Sequence, residues 1–212
     1  MTSASIAVRQ LGEGPPLLLL PAAGRAAADF DPIRDDLARC WRTISLDWPG
    51  MGESAPAPEA PSVSSLAALV GDLARTIAEP MVVLGHSVGG HAAIELALAQ
   101  PSRVRGLVLV DSAGFARVEA SRRRPGYAEA VAAVWRSFAR PEVDLRSRAA
   151  AIGVPTLLVW GDSDPVIPLR AARAAAATIP GATLAVFRCG HTPFLEARPE
   201  FQGVLGEFLE RL

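Results

Sequence analysis

The stretch MVVLGHSVGGHAA, Met81 to Ala93, decides the reading of this chain. It opens with an apolar run, Met81–Gly85, of strand length. It closes on the small, apolar start of a helix, Val88–Gln100, which Pro101 stops. Between them lies a sharp turn with the pattern G-x-S-x-G, Gly85-His86-Ser87-Val88-Gly89. A serine at the apex of a strand-to-helix turn needs a strained backbone, so its neighbours must be very small. Gly85 and Gly89 remove the side chains that would collide there. The helix that begins at Val88 aims free N–H groups and the positive end of its dipole at the serine. Ser87 is therefore the candidate nucleophile, and the Val88 amide a candidate donor to a developing oxyanion.

Outward from this turn, short apolar runs alternate with amphipathic stretches. The runs are Leu17–Leu20, Thr43–Leu46, Met81–Gly85, Gly106–Val110, Thr156–Trp160 and Thr183–Phe187, with Ser5–Arg9 as a weaker edge strand. Helices are expected at Asp29–Cys40, Ser64–Ala78, Val88–Gln100, Leu169–Thr178 and Pro199–Leu212. Strands that are apolar throughout, each followed by a helix, predict an α/β fold. Its central sheet is mostly parallel, with helices on both faces. Residues 1–212 read as one domain. Between Ser112 and Gly153 the alternation lapses. That segment holds a basic cluster, Arg122–Arg124, and an amphipathic patch, Tyr127–Phe138, and is expected to be a short helical lid at the carboxyl edge of the sheet, where ligands bind in such folds. The Arg cluster reads as a solvated surface. The Pro/Ala-rich stretch Ala55–Pro61 reads as a stiff loop.

Composition narrows the chemistry. The formal net charge is −1, which gives no basis for nucleic-acid binding or attachment to a membrane surface. All 21 basic residues are Arg. With no Lys there is no Schiff-base or P-loop lysine. No Asn is present, so N-glycosylation has no acceptor. The two cysteines, Cys40 and Cys189, have neither metal nor redox spacing, which suits a reducing compartment. The Leu17–Leu20 run is too short for a signal-peptide core, and no stretch reaches the ~18 apolar residues of a membrane span. A cytoplasmic location is the expectation, and the Ala- and Arg-rich composition suggests a bacterial source.

Five further segments carry a resemblance. They are Leu17–Gly24 (LLLLPAAG), Asp47–Ser54 (DWPGMGES), Gly106–Ser112 (GLVLVDS), Pro155–Pro168 (PTLLVWGDSDPVIP) and Cys189–Glu196 (CGHTPFLE). With the G-x-S-x-G turn they resemble the α/β-hydrolase family, in its serine-nucleophile, esterase- and lipase-like branch, over nearly the whole chain. The resemblance implies a Ser87 nucleophile, a His191 base and an Asp164 acid, in the chain order expected of the fold. It places a second oxyanion donor at the Ala23 amide. There the chain departs from the family, with Pro21-Ala22 where His-Gly is common. Elementary chemistry agrees with the triad. A serine hydroxyl is a poor nucleophile until a base takes its proton, and a carboxylate fixes the imidazole tautomer.

Other residues invite plainer readings. His86 and His91 flank the serine and read as packed or hydrogen-bonded groups; their spacing does not suit a metal on one helix face, so neither metal nor cofactor is expected. Asp162 reads as a turn residue, while Asp111, ending a strand, is an alternative acid. Cys189 reads as packing, Asp47 with Gly50 and Gly52 as architecture, and Trp48 and Trp135 as either pocket lining or packing. The expected function is hydrolysis of a carboxylic ester or thioester in a small acyl substrate, through an acyl-enzyme and without cofactor. The alternatives are a carbon–carbon bond hydrolase or cofactor-free haloperoxidase-like enzyme on the same fold, or a non-catalytic ligand-binding homologue. An epoxide hydrolase or haloalkane dehalogenase would carry Asp where Ser87 stands. No reading of oligomeric state emerges.

Overall fold

In a computed structural model, described for residues 6–116 and 129–212, seven strands form one sheet. They are β1 Val8–Leu11, β2 Pro16–Leu20, β3 Arg42–Leu46, β4 Met81–His86, β5 Val104–Val110, β6 Thr156–Gly161 and β7 Thr183–Phe187. Their spatial order is β1-β3-β2-β4-β5-β6-β7, and only β1 runs antiparallel to its neighbour. The edge strand sits at Val8–Leu11 rather than Ser5–Arg9, because its pairing partners are Leu46 back to Thr43 of β3.

The apolar strands split the core by side-chain parity, as the two-residue period requires. Leu18 and Leu20 of β2 face α2 (Val63–Thr76), α3 (Val88–Ala99) and α5 (Leu169–Thr178). Leu17 and Leu19 face the other way, toward Phe30, α1 (Asp31–Leu37), α6 (Pro193–Glu196) and α7 (Arg198–Leu209). All four leucines are fully buried, each adding roughly 1.5–3 kcal/mol of hydrophobic stabilisation.

Helix ends differ from the sequence expectation for local reasons. Asp29–Cys40 is not one helix: a 3-10 turn at Ala27–Phe30 leads into α1, which starts one residue before Pro32 and ends at Leu37. Helix α2 starts at Val63 because Ser62 and Ser65 form a reciprocal capping box, and it stops where Ile77 turns extended. Helix α7 begins at Arg198 with Pro199 in its first turn. Between β5 and β6 the described residues contain no strand but one helix, α4 (Glu129–Ser137), and two 3-10 turns. Arg122–Arg124 and Tyr127 lie outside the described residues. Among the described residues, no helix is long and apolar enough to cross a membrane.

Parallel pairing puts the carboxyl ends of β2, β4, β5, β6 and β7 on one edge. The segments after them carry Ala23, Ser87, Asp111, Asp164 and His191 respectively. Chain direction reverses its winding between β2 and β4. The connection after β2 goes to the α1 face and that after β4 to the α3 face. In open parallel sheets such a divergence marks where ligand crevices form, and Ser87 and the Leu20–Gly24 loop lie on either side of it.

Candidate active site

Ser87 occupies the strained turn between β4 and α3, at φ 55° and ψ −114°. A non-glycine residue rarely adopts positive φ, and surrounding contacts must hold it there. The Ser87 N–H donates to Val110 O at 2.9 Å, and its carbonyl accepts from the amides of Gly90 and Ala113, both at 3.0 Å. The glycines are required by close approach. A Cβ on Gly85 would sit 2.4 Å from Gly89 O, and one on Gly89 would sit 2.1 Å from Leu20 O. The start of α3 is thus pressed against the loop that follows β2.

That loop is braced by the segment after β3. The Trp48 indole donates to Pro21 O at 2.8 Å. Asp47 accepts from the Ala27 amide at 2.7 Å and the Glu53 amide at 2.8 Å, while the Ser54 hydroxyl donates to Asp47 O at 2.7 Å. Gly52, at φ 54°, lies over the Asp47 carboxylate, where a Cβ would come within 2.2 Å. Asp47 and its glycines are architectural, and Trp48 is a fully buried strut. Val88, the first residue of α3, has no helical acceptor for its N–H. Among the described residues neither the Val88 amide nor the Ala23 amide donates to another group.

His191 lies in the loop between β7 and α6, and Asp164 in the loop after β6. Asp164 Oδ2 accepts from His191 Nδ1 at 2.7 Å, and its side chain is fully buried. Its other oxygen accepts from the amides of Val166 at 2.6 Å and Ile167 at 3.1 Å. Burial alone would raise the Asp164 pKa. The hydrogen bonds from His191, Val166 and Ile167 outweigh it and hold the carboxyl below its ordinary range. A carboxylate only accepts, so Nδ1 carries the proton and Nε2 keeps its lone pair. The imidazole lies obliquely on His86, the residue before the serine, with ring centroids 4.8 Å apart. The Ser87 hydroxyl is buried and makes no hydrogen bond among the described residues. The bond between His191 and Asp164 is therefore formed, while the Ser87 hydroxyl stays unpaired among the described residues.

One element of the site was not visible in the sequence. Glu196, in α6, accepts from the Gly190 amide at 2.8 Å, the Thr192 amide at 3.0 Å and the Thr192 hydroxyl at 2.6 Å. These bonds, the Thr192 hydroxyl foremost, keep its carboxyl below the usual range and close the loop around His191.

The neighbouring groups are packed. His86 donates from Nε2 to His191 O at 2.7 Å, and burial, then the nearby His191, drive its pKa down to about 3. His91 donates from Nε2 to Val143 O at 3.1 Å and meets the Phe138 ring edge-on. Burial pushes the Cys189 thiol up to about 12, so it is no nucleophile near neutrality. Asp162 is an exposed turn residue, and Trp135 packs on Phe138.

His86, Asp111 and His191 each present a ligand-type atom within 4.8 Å of the other two, a convergence that sequence spacing does not reveal. Burial, then the charge of Asp164, push Asp111 up to about 9, and a carboxylic acid that keeps its proton is a poor ligand. His191 Nδ1 and His86 Nε2 are already committed, to Asp164 and to the His191 carbonyl. A separate groove of about 410 Å³, lined by Ile33, Leu37, Trp41, Leu205 and Leu209, lies where Pro15 enters β2, at the opposite edge of the sheet.

Comparison with known proteins agrees with this architecture. The sequence pattern of the "Alpha/beta hydrolase family" matches residues 17–201. The chain is 30% identical to 2-hydroxymuconate semialdehyde hydrolase of Pseudomonas sp. (strain CF600), covering 93% of this chain and 88% of that one. It is 26% identical to the pimeloyl-[acyl-carrier protein] methyl ester esterase of Aeromonas hydrophila subsp. hydrophila, covering 97% and 99%. The dihydrolipoyllysine-residue acetyltransferase component of the acetoin cleaving system of Cupriavidus necator is 30% identical over 82% of this chain; the match spans 58% of that longer protein. Among solved structures, a hydrolase from Pseudomonas aeruginosa PA01 superimposes with a TM-score of 0.86 at 25% identity, covering 97% of this chain and 94% of that one. A matched pattern over most of the chain, with hydrolases among its relatives and the same sheet in a solved hydrolase, makes this chain a member of the alpha/beta hydrolase family.

Proposed function

We propose that this chain hydrolyses a carboxylic ester or thioester of a small acyl substrate through a covalent intermediate on Ser87. The observation that carries the reading is the 2.7 Å bond from His191 Nδ1 to Asp164 Oδ2, at the strand edge where Ser87 occupies its positive-φ turn. The Nε2 lone pair takes the Ser87 proton as Oγ attacks the carbonyl carbon. The imidazolium so formed stays hydrogen-bonded to Asp164. Charge on the carbonyl oxygen falls to the Val88 and Ala23 amides, which need no side chain to donate. Collapse expels the alcohol or thiol with the proton from Nε2. Water then repeats the sequence on the acyl-enzyme, releasing the acid and restoring Ser87.

The similarity to 2-hydroxymuconate semialdehyde hydrolase supports a second reading, in which the same groups cleave a carbon–carbon bond beside a ketone. The test compares wild type with Ser87→Ala on esters, thioesters and vinylogous diketones, alongside fluorophosphonate labelling. Loss of ester turnover and of label in the variant is expected. Equal ester turnover by both proteins would refute the serine mechanism, preferential diketone turnover would favour the second reading, and an unlabelled wild type would point to a binding role.

A further inference from the structure

Asp111 follows β5 at φ 42°, fully buried, beside the groups assigned to the reaction but with no part in it. One oxygen, Oδ1, accepts from the Gly161 amide at 3.0 Å. The other, Oδ2, is buried and has no hydrogen-bond partner among the described residues. The groups around it are acceptors or already committed donors. His86 Nε2 must carry the proton it gives to the His191 carbonyl, so its buried, unpartnered Nδ1 is a lone pair. His191 Nδ1–H is spent on Asp164. The Asp164 carboxyl, bonded to the same His191 ring whose nitrogen lies within 4.8 Å of Asp111, is the nearby carboxylate whose charge acts on Asp111. As an anion, Asp111 would have a bare buried oxygen against a second carboxylate. As an acid, it has a partner in Asp164.

Two carboxyl groups in one dry site cannot both ionise, and the one with fewer donors keeps the proton. Among the described residues, Asp164 accepts from Val166, Ile167 and His191, and Asp111 from Gly161 alone. We propose that Asp111 is a positioning residue, a neutral carboxylic acid whose O–H donates to the Asp164 carboxylate and holds it toward His191. The catalytic consequence rests on the serine-hydrolase reading above; the shared proton does not. The donated bond gives Asp164 a further donor and discourages it from taking the proton of the imidazolium. The charges acting on Asp111, from Asp164 and from Glu196 of α6, are both negative. The other titratable groups facing it are His86 of β4, His191 and the Cys189 thiol of the histidine loop. Burial first, then the Asp164 charge, favour the neutral form up to about pH 9, and the Gly161 amide opposes them only in part.

The test uses Asp111→Asn, whose amide donates to Asp164, accepts from Gly161 and suits positive φ, and Asp111→Gly, which removes the carboxyl without backbone strain. An unfolded Asp111 is ionised above its ordinary pKa of 3.8, whereas the folded one stays protonated to about 9, so unfolding releases a proton. The unfolding equilibrium constant of wild type relative to Asp111→Asn should rise about tenfold per pH unit between about pH 5 and 8. In ester turnover, Asp111→Gly should lose about tenfold in kcat with little change in KM, and Asp111→Asn should recover to within about threefold. A flat unfolding ratio would overturn the proposal. So would an Asn variant as impaired as Asp164→Asn, because a charge at Asp111 would then be what matters. If Ser87→Ala leaves ester turnover intact, the hydrolase reading falls, while the unfolding ratio still decides the carboxyl pair.

Discussion

Gly89→Ala perturbs the contact that sets the loop after β2 against the turn at Ser87. The new Cβ would lie 2.1 Å from Leu20 O, 2.6 Å from Leu20 C and 2.8 Å from Pro21 O. All three are backbone atoms, so no flexible side chain can swing away. To reach an ordinary 3.4 Å contact from 2.1 Å, the loop must retreat by about 1.3 Å relative to α3. That loop carries the Ala23 amide, and α3 carries Ser87 and the Val88 amide. Misplacing a reacting or stabilising group by ~1 Å costs about 10²-fold in rate, and losing one oxyanion donor costs about 10²–10³-fold. A fall in kcat/KM of at least about 100-fold is therefore expected. Overpacking should also destabilise the fold by about 1–3 kcal/mol. The assay is kcat/KM for short p-nitrophenyl esters and the second-order rate of fluorophosphonate labelling at Ser87, with thermal unfolding of the same samples. Activity should fall much further than the residual folded fraction explains. Wild-type turnover with an unshifted midpoint would show that the loop after β2 is not seated against the elbow, and the two-amide oxyanion site would go with it.

Asp164→Asn leaves the shape of the acid intact but turns an NH₂ group toward His191 Nδ1, because the side-chain carbonyl is retained by the Val166 and Ile167 amides. The imidazole must then carry its proton on Nε2, and kcat should drop about 10⁴-fold with labelling of Ser87 slowed in parallel; a loss under tenfold would remove Asp164 from the relay. Since the folded pKa of Asp164 is depressed, its ionised form stabilises the protein above the ordinary carboxylate range, and that contribution disappears as pH falls through the folded value. In acid melts the Asn variant should lack this component. Gly203→Ala, at an exposed position of α7 where a Cβ meets nothing within 4 Å, should stabilise by about 0.5–1 kcal/mol and leave ester turnover unchanged; a lowered midpoint would mean the α7 backbone is not regular there.

Local chemistry made much of this legible. Six apolar runs became the six parallel strands to within two residues: burial is continuous in β2, β4 and β6, and an apolar run still marks the edge strand β7, whose residues are exposed or half-buried. The G-x-S-x-G turn was readable because its glycines answer a steric need, visible as sub-3 Å approaches to Gly89 O and Leu20 O. Part of what escaped the sequence depends on partners remote along the chain. Asp111 resembled an alternative acid by its place at a strand end; its role follows from meeting Asp164 across β5 and β6. Trp48 left pocket and packing equally open until its indole was seen bonded to Pro21 O. Asp29–Cys40 reads as one helix because it opens with an acidic first turn, and the 3-10 turn before Asp31 leaves no mark on composition. Glu196 belonged to a quoted motif, yet nothing in its spacing announced three donors converging on one carboxylate.

The clasp made by Glu196 has a consequence for how this scaffold accepts change. The loop bearing His191 is fastened to the helix that follows it, through Gly190 and Thr192, by bonds that draw on no residue between 112 and 153. The imidazole is thus registered from beneath, like a tool held in its own chuck. Substitutions between 112 and 153 can therefore change that segment while these three bonds to Glu196 stay in place.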